Sequence, residues 1–478
     1  MPAVRIRYDS FSPELHPRQK LRASRKVALR IRSLLFIIST PLGSLVQGLN
    51  FGHYSMPVNY YGYSIQTAFL VHLHMQKLKI GIVRETKNPP DRRVPLTPNQ
   101  CRTLSDAYSD LEILVQPSDY RCYSDQEYSS AGIPLSEDLS TCQILMGVKE
   151  VKEEVLLEGK SYLFFSHTAK KQPYNRSLLQ TVVRQSIRLI DYEYLTDKDG
   201  ARVVAFGRWA GVVGAYNGLR AWGQKSGSYD LKPAHACKDL KEARQELEKV
   251  ELDRTRIAVT GGGRVAGGAL EILESTGVSG VSPEDYLKHD FDQAVYTRLD
   301  PWHYARRQDG STFDFEHFMK HPALYENTFL PYASRTDLYM ACHFWDPASP
   351  ILLTRKHLAG GELPLSLVAD ISCDIDGPIA STIRASTIAE PFYGYDPGSG
   401  KETGPFEKGV ITVMAVDNLP GELPRDASSD FGEALMEQVI PELLGERDTG
   451  MIDRASIAAG GSLTQHYSYL SDFLAGKD

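Results

Sequence analysis

The stretch Arg256-Ile257-Ala258-Val259-Thr260-Gly261-Gly262-Gly263-Arg264-Val265-Ala266 decides the fold. Its first five residues form a short apolar run of the kind buried parallel strands show. Three glycines follow, and a helix is predicted over Ala266–Glu274. This is the G-x-G-x-x-[G/A] pattern set between a strand and a helix, which is the context that gives the pattern meaning. Gly261 would allow the tight turn, and Gly263 would let backbone approach a pyrophosphate. Ala266 would let helix and sheet pack closely, with Arg264 and Val265 opening the helix whose amino end attracts phosphates. The bland alternative is a tight structural turn. The acidic residue that meets a ribose is expected about 20 residues on; Glu284 and Asp285 stand there. No Arg accompanies them to greet a 2′-phosphate, so the expected cofactor is NAD, with NADP as the alternative.

Outward from this turn the chain alternates strand, loop and helix. Towards the amino end, Leu78–Val83, Leu111–Val115, Cys142–Val148, Tyr162–Phe165 and Ile187–Ile190 read as strands, with helices predicted over Thr97–Ser109 and Tyr174–Gln185. A Gly- and Ala-rich helix over Val212–Trp222 and a charged helix over Lys238–Val250 lead into the turn. Beyond it, residues 282–335 read as an insertion, Tyr339–Phe344 and Leu365–Ile371 as strands, Gly409–Val416 as a strand returning to the first domain, and 428–443 as helical. Such alternation predicts doubly wound parallel sheets. A chain of 478 residues is too long for one core, so two Rossmann-like α/β domains are expected, with the active site in the cleft between them.

The composition is ordinary for a globular chain: 42% hydrophobic, 24% charged, net charge −7. That balance, with no basic stripe, argues against a nucleic-acid partner. No run is long enough for a membrane span. Six cysteines without paired spacing read as reduced thiols in the cytoplasm, neither a disulfide frame nor a metal site. Residues 1–74 are Arg-rich and acid-poor, either a targeting segment or the product of an overcalled start.

In an open parallel sheet, ligands gather at the carboxyl ends of the strands. After the predicted strands come Arg84, Glu85 and Lys87 with Arg92 and Arg93; Lys149 and Glu150; Ser166 and His167; and Asp191, Tyr192 and Glu193. Parallel strands would bring a Lys, a His, two Glu and several cations to one edge. That set suits an amine–imine redox reaction on a substrate with several carboxylates. Cations would hold the carboxylates. A Lys of lowered pKa could take an amine proton. A His could move protons while the imine hydrolyses. Taken singly, each residue has a bland reading as a solvated or structural polar group.

These same segments resemble saccharopine dehydrogenases of the NAD-dependent, lysine-forming type, and equally the lysine–2-oxoglutarate reductase half of the animal and plant bifunctional enzyme, within the alanine dehydrogenase and transhydrogenase group. The matching stretches are Arg84-Glu85-Thr86-Lys87, Arg93 to Pro98, Gly147-Val148-Lys149-Glu150, Phe164 to Thr168, Leu189 to Glu193, Arg202 to Gly211, Ala369 to Asp374 and Val416 to Pro420. The resemblance implies that Lys149 accepts the proton of the secondary amine, that His167 serves imine hydrolysis, and that Glu150 and Glu193 set their pKa values. It implies Arg93 and Lys87 as binders of substrate carboxylates, Arg202 as an active-site cation and Asp417 as a residue at the dinucleotide. It implies a substrate domain of 75–206 plus 376–478 and a dinucleotide domain of 207–375, after the extension 1–74. The substrates implied are saccharopine, L-lysine and 2-oxoglutarate. Glu150, where the reductase half tends to carry Arg, favours the lysine-forming type; the insertion and residues 370–395 look more like the reductase half. Alanine dehydrogenase is a second enzyme reading, with fewer cations needed for so small a substrate. A nucleotide-binding regulator without catalysis is a third.

Overall fold

The computed structural model describes residues 77–88 and 90–477; the N-terminal extension lies outside the described residues. Two sheets organise them. The first contains β1 (Leu78–Ile82), β2 (Leu111–Val115), β3 (Ile144–Met146), β4 (Ser161–Phe164) and β5 (Arg188–Asp191), all parallel, in the order β5-β4-β3-β1-β2. These strands are apolar and almost wholly buried, as strands covered on both faces must be. Helix α1 (Pro98–Ala107) starts at a capping box, with the Thr97 hydroxyl accepting from the Gln100 main chain and the Gln100 side chain accepting from Thr97, and has proline in its first turn. Helix α2 (Arg176–Arg184) buries Leu178, Leu179 and Val182 against the other face.

The second sheet is built on β6 (Arg256–Thr260), β7 (Ser279–Gly280), β8 (Val295–Leu299), β11 (Leu338–Ala341), β12 (Leu367–Asp370) and β15 (Ile411–Met414), parallel and ordered β15-β12-β11-β6-β8-β7. A hairpin of β13 (Phe392–Asp396) and β14 (Lys401–Thr403) adds antiparallel strands beyond β15. The order reverses direction between β6 and β11, so the glycine turn after β6 lies at a topological switch point. Within 282–335 a small separate hairpin forms from β9 (Ala305–Arg307) and β10 (Tyr325–Asn327). Helix α3 (Gly207–Ser226) packs on α4 (Arg264–Ser275) through glycine: a Cβ on Gly211 would overlap the Val265 carbonyl, and one on Gly268 the Arg208 carbonyl.

One strand placement is corrected. The run 409–416 was expected in the first sheet, but β15 pairs in parallel with β12, Leu367 opposite Thr412. Its residues are buried on both faces, so periodicity alone assigns it to neither sheet. The preceding β13–β14 hairpin supplies the reason, since Tyr393 pairs with Val413 and ties β15 to its neighbours in sequence. What does return to the first sheet is β16 (Ser456–Ala459), antiparallel to β5, followed by β17 (Ser462–Leu463). Helix α6 (Pro424–Ala434) precedes it and buries Phe431 in the core of the first sheet.

Candidate active site

The carboxyl ends of β3, β4 and β5 bring Lys149, Glu150, His167 and Glu193 together. Asp191, fully buried at the end of β5, accepts from the main chain and hydroxyl of Ser166 at 3.0 and 2.6 Å and from the Glu193 main chain at 2.8 Å. It thereby pins the two segments that carry His167 and Glu193. His167 adopts a left-handed conformation, φ 53°, which is uncommon without glycine and ends β4 abruptly. Its Nε2 lies 3.9 Å from Glu150 Oε1 and its Nδ1 3.6 Å from Glu193 Oε2. The imidazole therefore sits between two carboxylates. Beyond them stand cations: Lys87 Nζ is 3.3 Å from Glu150 Oε2, Lys170 Nζ is 3.0 Å from Glu193 Oε2, and Arg202 donates to Glu193 Oε1 at 2.7 Å. Burial opposes charge on Glu193, but the close approach of His167 and Lys170, with the charges of Lys170 and Arg202, outweighs it and holds its pKa at about 2.

Lys149 is mostly buried, and its amine has no hydrogen-bond or ion-pair partner among the described residues. Burial first, and then the nearby charges of Arg93 and Lys87, lower its pKa; Asp91 and Glu150 oppose this without prevailing. An ammonium without a partner in such a place favours giving up its proton. Glu150 Oε1 is likewise buried without a hydrogen-bond partner.

Arg93 does not join this cluster in the expected way. It is 3% exposed, forks onto Asp91 at 2.9 and 2.6 Å, donates to Asn418 Oδ1 at 2.9 Å and lies 4.2 Å over the Phe206 ring. A buried guanidinium needs such partners, so its charge is already engaged and not free to clamp a carboxylate. Sequence reasoning missed Asp91, two residues before Arg93, and Lys170, three after His167; a cation so close behind a strand-end histidine was the available signal.

At the second sheet, the glycine turn has the shape of a phosphate cradle. Gly261 takes φ 107°, and a Cβ there would lie 2.7 Å from the Cys342 carbonyl. A Cβ on Gly263, the N-cap of α4, would meet nothing within 4 Å. The turn is thus closed beneath and open above, as a bound pyrophosphate requires. Val265 and Ala266 continue into the first turn of α4, with Ala266 buried. Arg264 donates from Nη1 to the Arg202 carbonyl at 3.0 Å, which links the turn to the His167 cluster.

Glu284 and Asp285 do not stand beside this turn. They lie in α5 (Pro283–Lys288), paired with Lys288 and His289, and the Tyr286 and His289 carbonyls are held by Arg256 at the amino end of β6. That is the opposite edge of the sheet. The acidic residue at the turn is Asp300, directly after β8, 7% exposed, with Arg298 at 3.1 Å. The insertion lengthens the path between α4 and β8, so counting residues from the glycines landed short. Asp417 follows β15 at the carboxyl edge of the sheet and is exposed. Among the described residues, no group of His, Cys, Asp or Glu could hold a metal, and no helix is long and apolar enough to cross a membrane.

Two doubly wound units with a glycine turn at a switch point define the class: an α/β protein of two Rossmann-like domains. Two solved structures share this fold. L-alanine dehydrogenase is 15% identical with a TM-score of 0.55, covering 84% of this chain and 100% of that one. A transhydrogenase from Sinorhizobium meliloti is 15% identical with a TM-score of 0.50, covering 80% and 98%.

More particularly, residues 81–213 match the alanine dehydrogenase/PNT N-terminal domain. The chain is 32% identical over 452 residues to alpha-aminoadipic semialdehyde synthase, mitochondrial, of Mus musculus, covering 84% of this chain and 48% of that protein. It is 27% identical over 391 residues to saccharopine dehydrogenase (NAD(+), L-lysine-forming) of Emericella nidulans, covering 77% and 92%. The resemblance read from the motifs is borne out. The chain spans about half the length of the semialdehyde synthases it matches.

Proposed function

We propose that the chain is a nicotinamide-dependent oxidoreductase that interconverts saccharopine, NAD and water with L-lysine, 2-oxoglutarate and NADH. The observation that carries this reading is the Lys149 amine, without a partner among the described residues and its pKa lowered by burial and by Arg93 and Lys87, beside a His167 flanked by Glu150 and Glu193. Similarity to saccharopine dehydrogenases supports the substrate class.

Bound NAD supplies the acceptor for the hydride that leaves the carbon beside the secondary amine. Gly261, Gly263, Arg264 and the amino end of α4 would hold its pyrophosphate and Asp300 its ribose, with Asp417 at the same carboxyl edge of the sheet; the Glu284 and Asp285 expectation is given up. Lys149 takes the amine proton. His167, with Glu150 and Glu193 on either side, moves protons as water adds to the substrate imine and the carbon–nitrogen bond breaks. Lys87, Lys170 and Arg202 exchange their present carboxylate partners for those of the tricarboxylate substrate, while Arg93 holds Asp91 and the Asn418 segment in place. An anionic Asp300 at the ribose position disfavours a 2′-phosphate, which supports NAD over NADP. A cytoplasmic placement belongs to the same reading and rests on the scattered spacing of the six cysteines in the sequence.

The test is spectrophotometric. Pure protein should reduce NAD in the presence of saccharopine and oxidise NADH with lysine and 2-oxoglutarate. No saccharopine-dependent reduction of either NAD or NADP would overturn the proposal. Turnover on alanine instead would favour the alanine dehydrogenase reading, and NAD binding without turnover the regulator.

A further inference from the structure

We infer that Glu85 is a positioning residue for Lys149: by accepting both the Val148 and the Lys149 main-chain N–H groups, its carboxylate fixes the direction in which the Lys149 amine leaves the sheet. The inference rests on the reading of Lys149 as the base. Strand β3 ends at Met146, and the turn that follows stays paired to the end of β4 on one side but not to a strand on the other. Gly147 N–H donates to the Leu163 carbonyl at 3.0 Å, and the Val148 carbonyl accepts from Phe165 at 3.0 Å. The Val148 and Lys149 N–H groups would be left over. Glu85 takes them, Oε1 from Val148 at 2.6 Å and Oε2 from Lys149 at 2.9 Å. One residue on, Thr86 Oγ1 accepts from the Lys152 main chain at 2.9 Å, so the segment after β1 clamps the turn at two points.

Both Glu85 oxygens accept, which is the pattern of a carboxylate: a protonated carboxyl would turn a hydroxyl towards an N–H. Burial pushes its pKa up to about 8, with Asp91 adding to the rise, while the two N–H groups and Arg93 work the other way. The two-oxygen clamp needs the charged form, which burial disfavours below about pH 8, so the clamp strengthens as pH rises. The turn is built around it. A Cβ on Gly147 would lie 3.4 Å from Glu85 Oε1 and 3.0 Å from Val83 Cγ2, so a larger residue would press on the clamp. The Tyr192 hydroxyl, buried without a hydrogen-bond partner among the described residues and raised in pKa by burial and by Glu85, is a further titratable neighbour.

The experiment compares Glu85→Gln in two backgrounds. Gln matches Glu in size but replaces one acceptor by a donor. In the otherwise unchanged protein kcat should fall about 10- to 100-fold, with the KM for saccharopine within about twofold and the base limb of the pH profile displaced. In a Lys149→Ala background, turnover rescued by added alkylamines should change less than about twofold on adding Glu85→Gln, because the amine is then no longer aimed by the turn. Equal losses in both backgrounds, or unchanged kcat and pH profile in the first, would overturn the inference. Should Glu85→Gln not fold, Glu85→Asp replaces it, with a kcat loss at unchanged KM expected and none overturning the inference. An unmutated protein without saccharopine turnover would instead overturn the proposed function.

Discussion

Asp300 and Gly262 meet just beyond the carboxyl ends of the neighbouring strands β8 and β6: a Cβ on Gly262 would overlap Asp300 Oδ1. The carboxylate is thus held against the glycine turn, where a dinucleotide's adenosine ribose would lie. Replacing Asp300 by Ser removes a charge that would repel a 2′-phosphate and frees Arg298, its present partner. The expected outcome is NAD affinity lowered about tenfold and NADP affinity raised, from the loss of about 1.4 kcal/mol at one site and its gain at the other. Fluorescence titration with both reduced cofactors reads this directly. Unchanged preference would remove Asp300 from the cofactor site.

Lys149→Met should remove the base while keeping the shape of the site. A loss of about 100- to 10,000-fold in kcat is expected, with NAD binding intact. In the unmutated protein, oxidation of saccharopine needs Lys149 neutral, so activity should rise with pH through the Lys149 pKa. Burial and the neighbouring Arg93 set that pKa below its ordinary 10.5. A pH–rate profile of kcat/KM checks the sign: the ascending limb should lie below pH 10.5 and vanish in Lys149→Met.

Asp91 and Arg93 form a buried pair, each 3% exposed in its side chain. Burial works against the Asp91 charge, but Arg93 wins by Coulomb attraction and hydrogen bonding, and holds the carboxyl below its ordinary 3.8. A carboxyl depressed in the folded state stabilises above its unfolded pKa, and the contribution fades as pH falls through the folded value. Asp91→Asn leaves a buried guanidinium uncompensated and should cost about 3 kcal/mol at pH 7. Urea unfolding at pH 7 and below pH 4 measures both parts: the difference between the two proteins should shrink on acidification.

Much of this arrangement was legible in the sequence because it follows from local pattern. Apolar runs such as Leu78–Ile82 mark strands, and in a parallel sheet the residues after each strand lie at the ligand edge, where Lys149, His167 and Glu193 stand. What escaped depends on long-range pairing. The doubly buried β15 carries no period that tells one sheet from another. Asp300 was hidden because the segment from α4 to β8 is longer than the usual spacing. Arg93 was expected at the substrate because sequence shows a charge but not its partners, Asp91 and Asn418.

The contact between α3 and α4 makes a last prediction with its own control. Gly268 lets α4 approach until its backbone meets the Arg208 carbonyl of α3, and a Cβ there would overlap that carbonyl and lie 2.9 Å from the Val212 nitrogen. Backbone cannot swing aside as a side chain does, so the helices would have to part. Gly268→Ala should therefore destabilise by about 3 kcal/mol despite alanine's better helix propensity. Gly267, one residue earlier on the same helix, is exposed and has open space where a Cβ would go. There alanine should stabilise, by about 0.5 to 1 kcal/mol, through propensity alone. Thermal unfolding of the two variants should move Tm in opposite directions. Parallel shifts would mean that the close approach of these helices contributes nothing to holding the glycine turn at the mouth of the site.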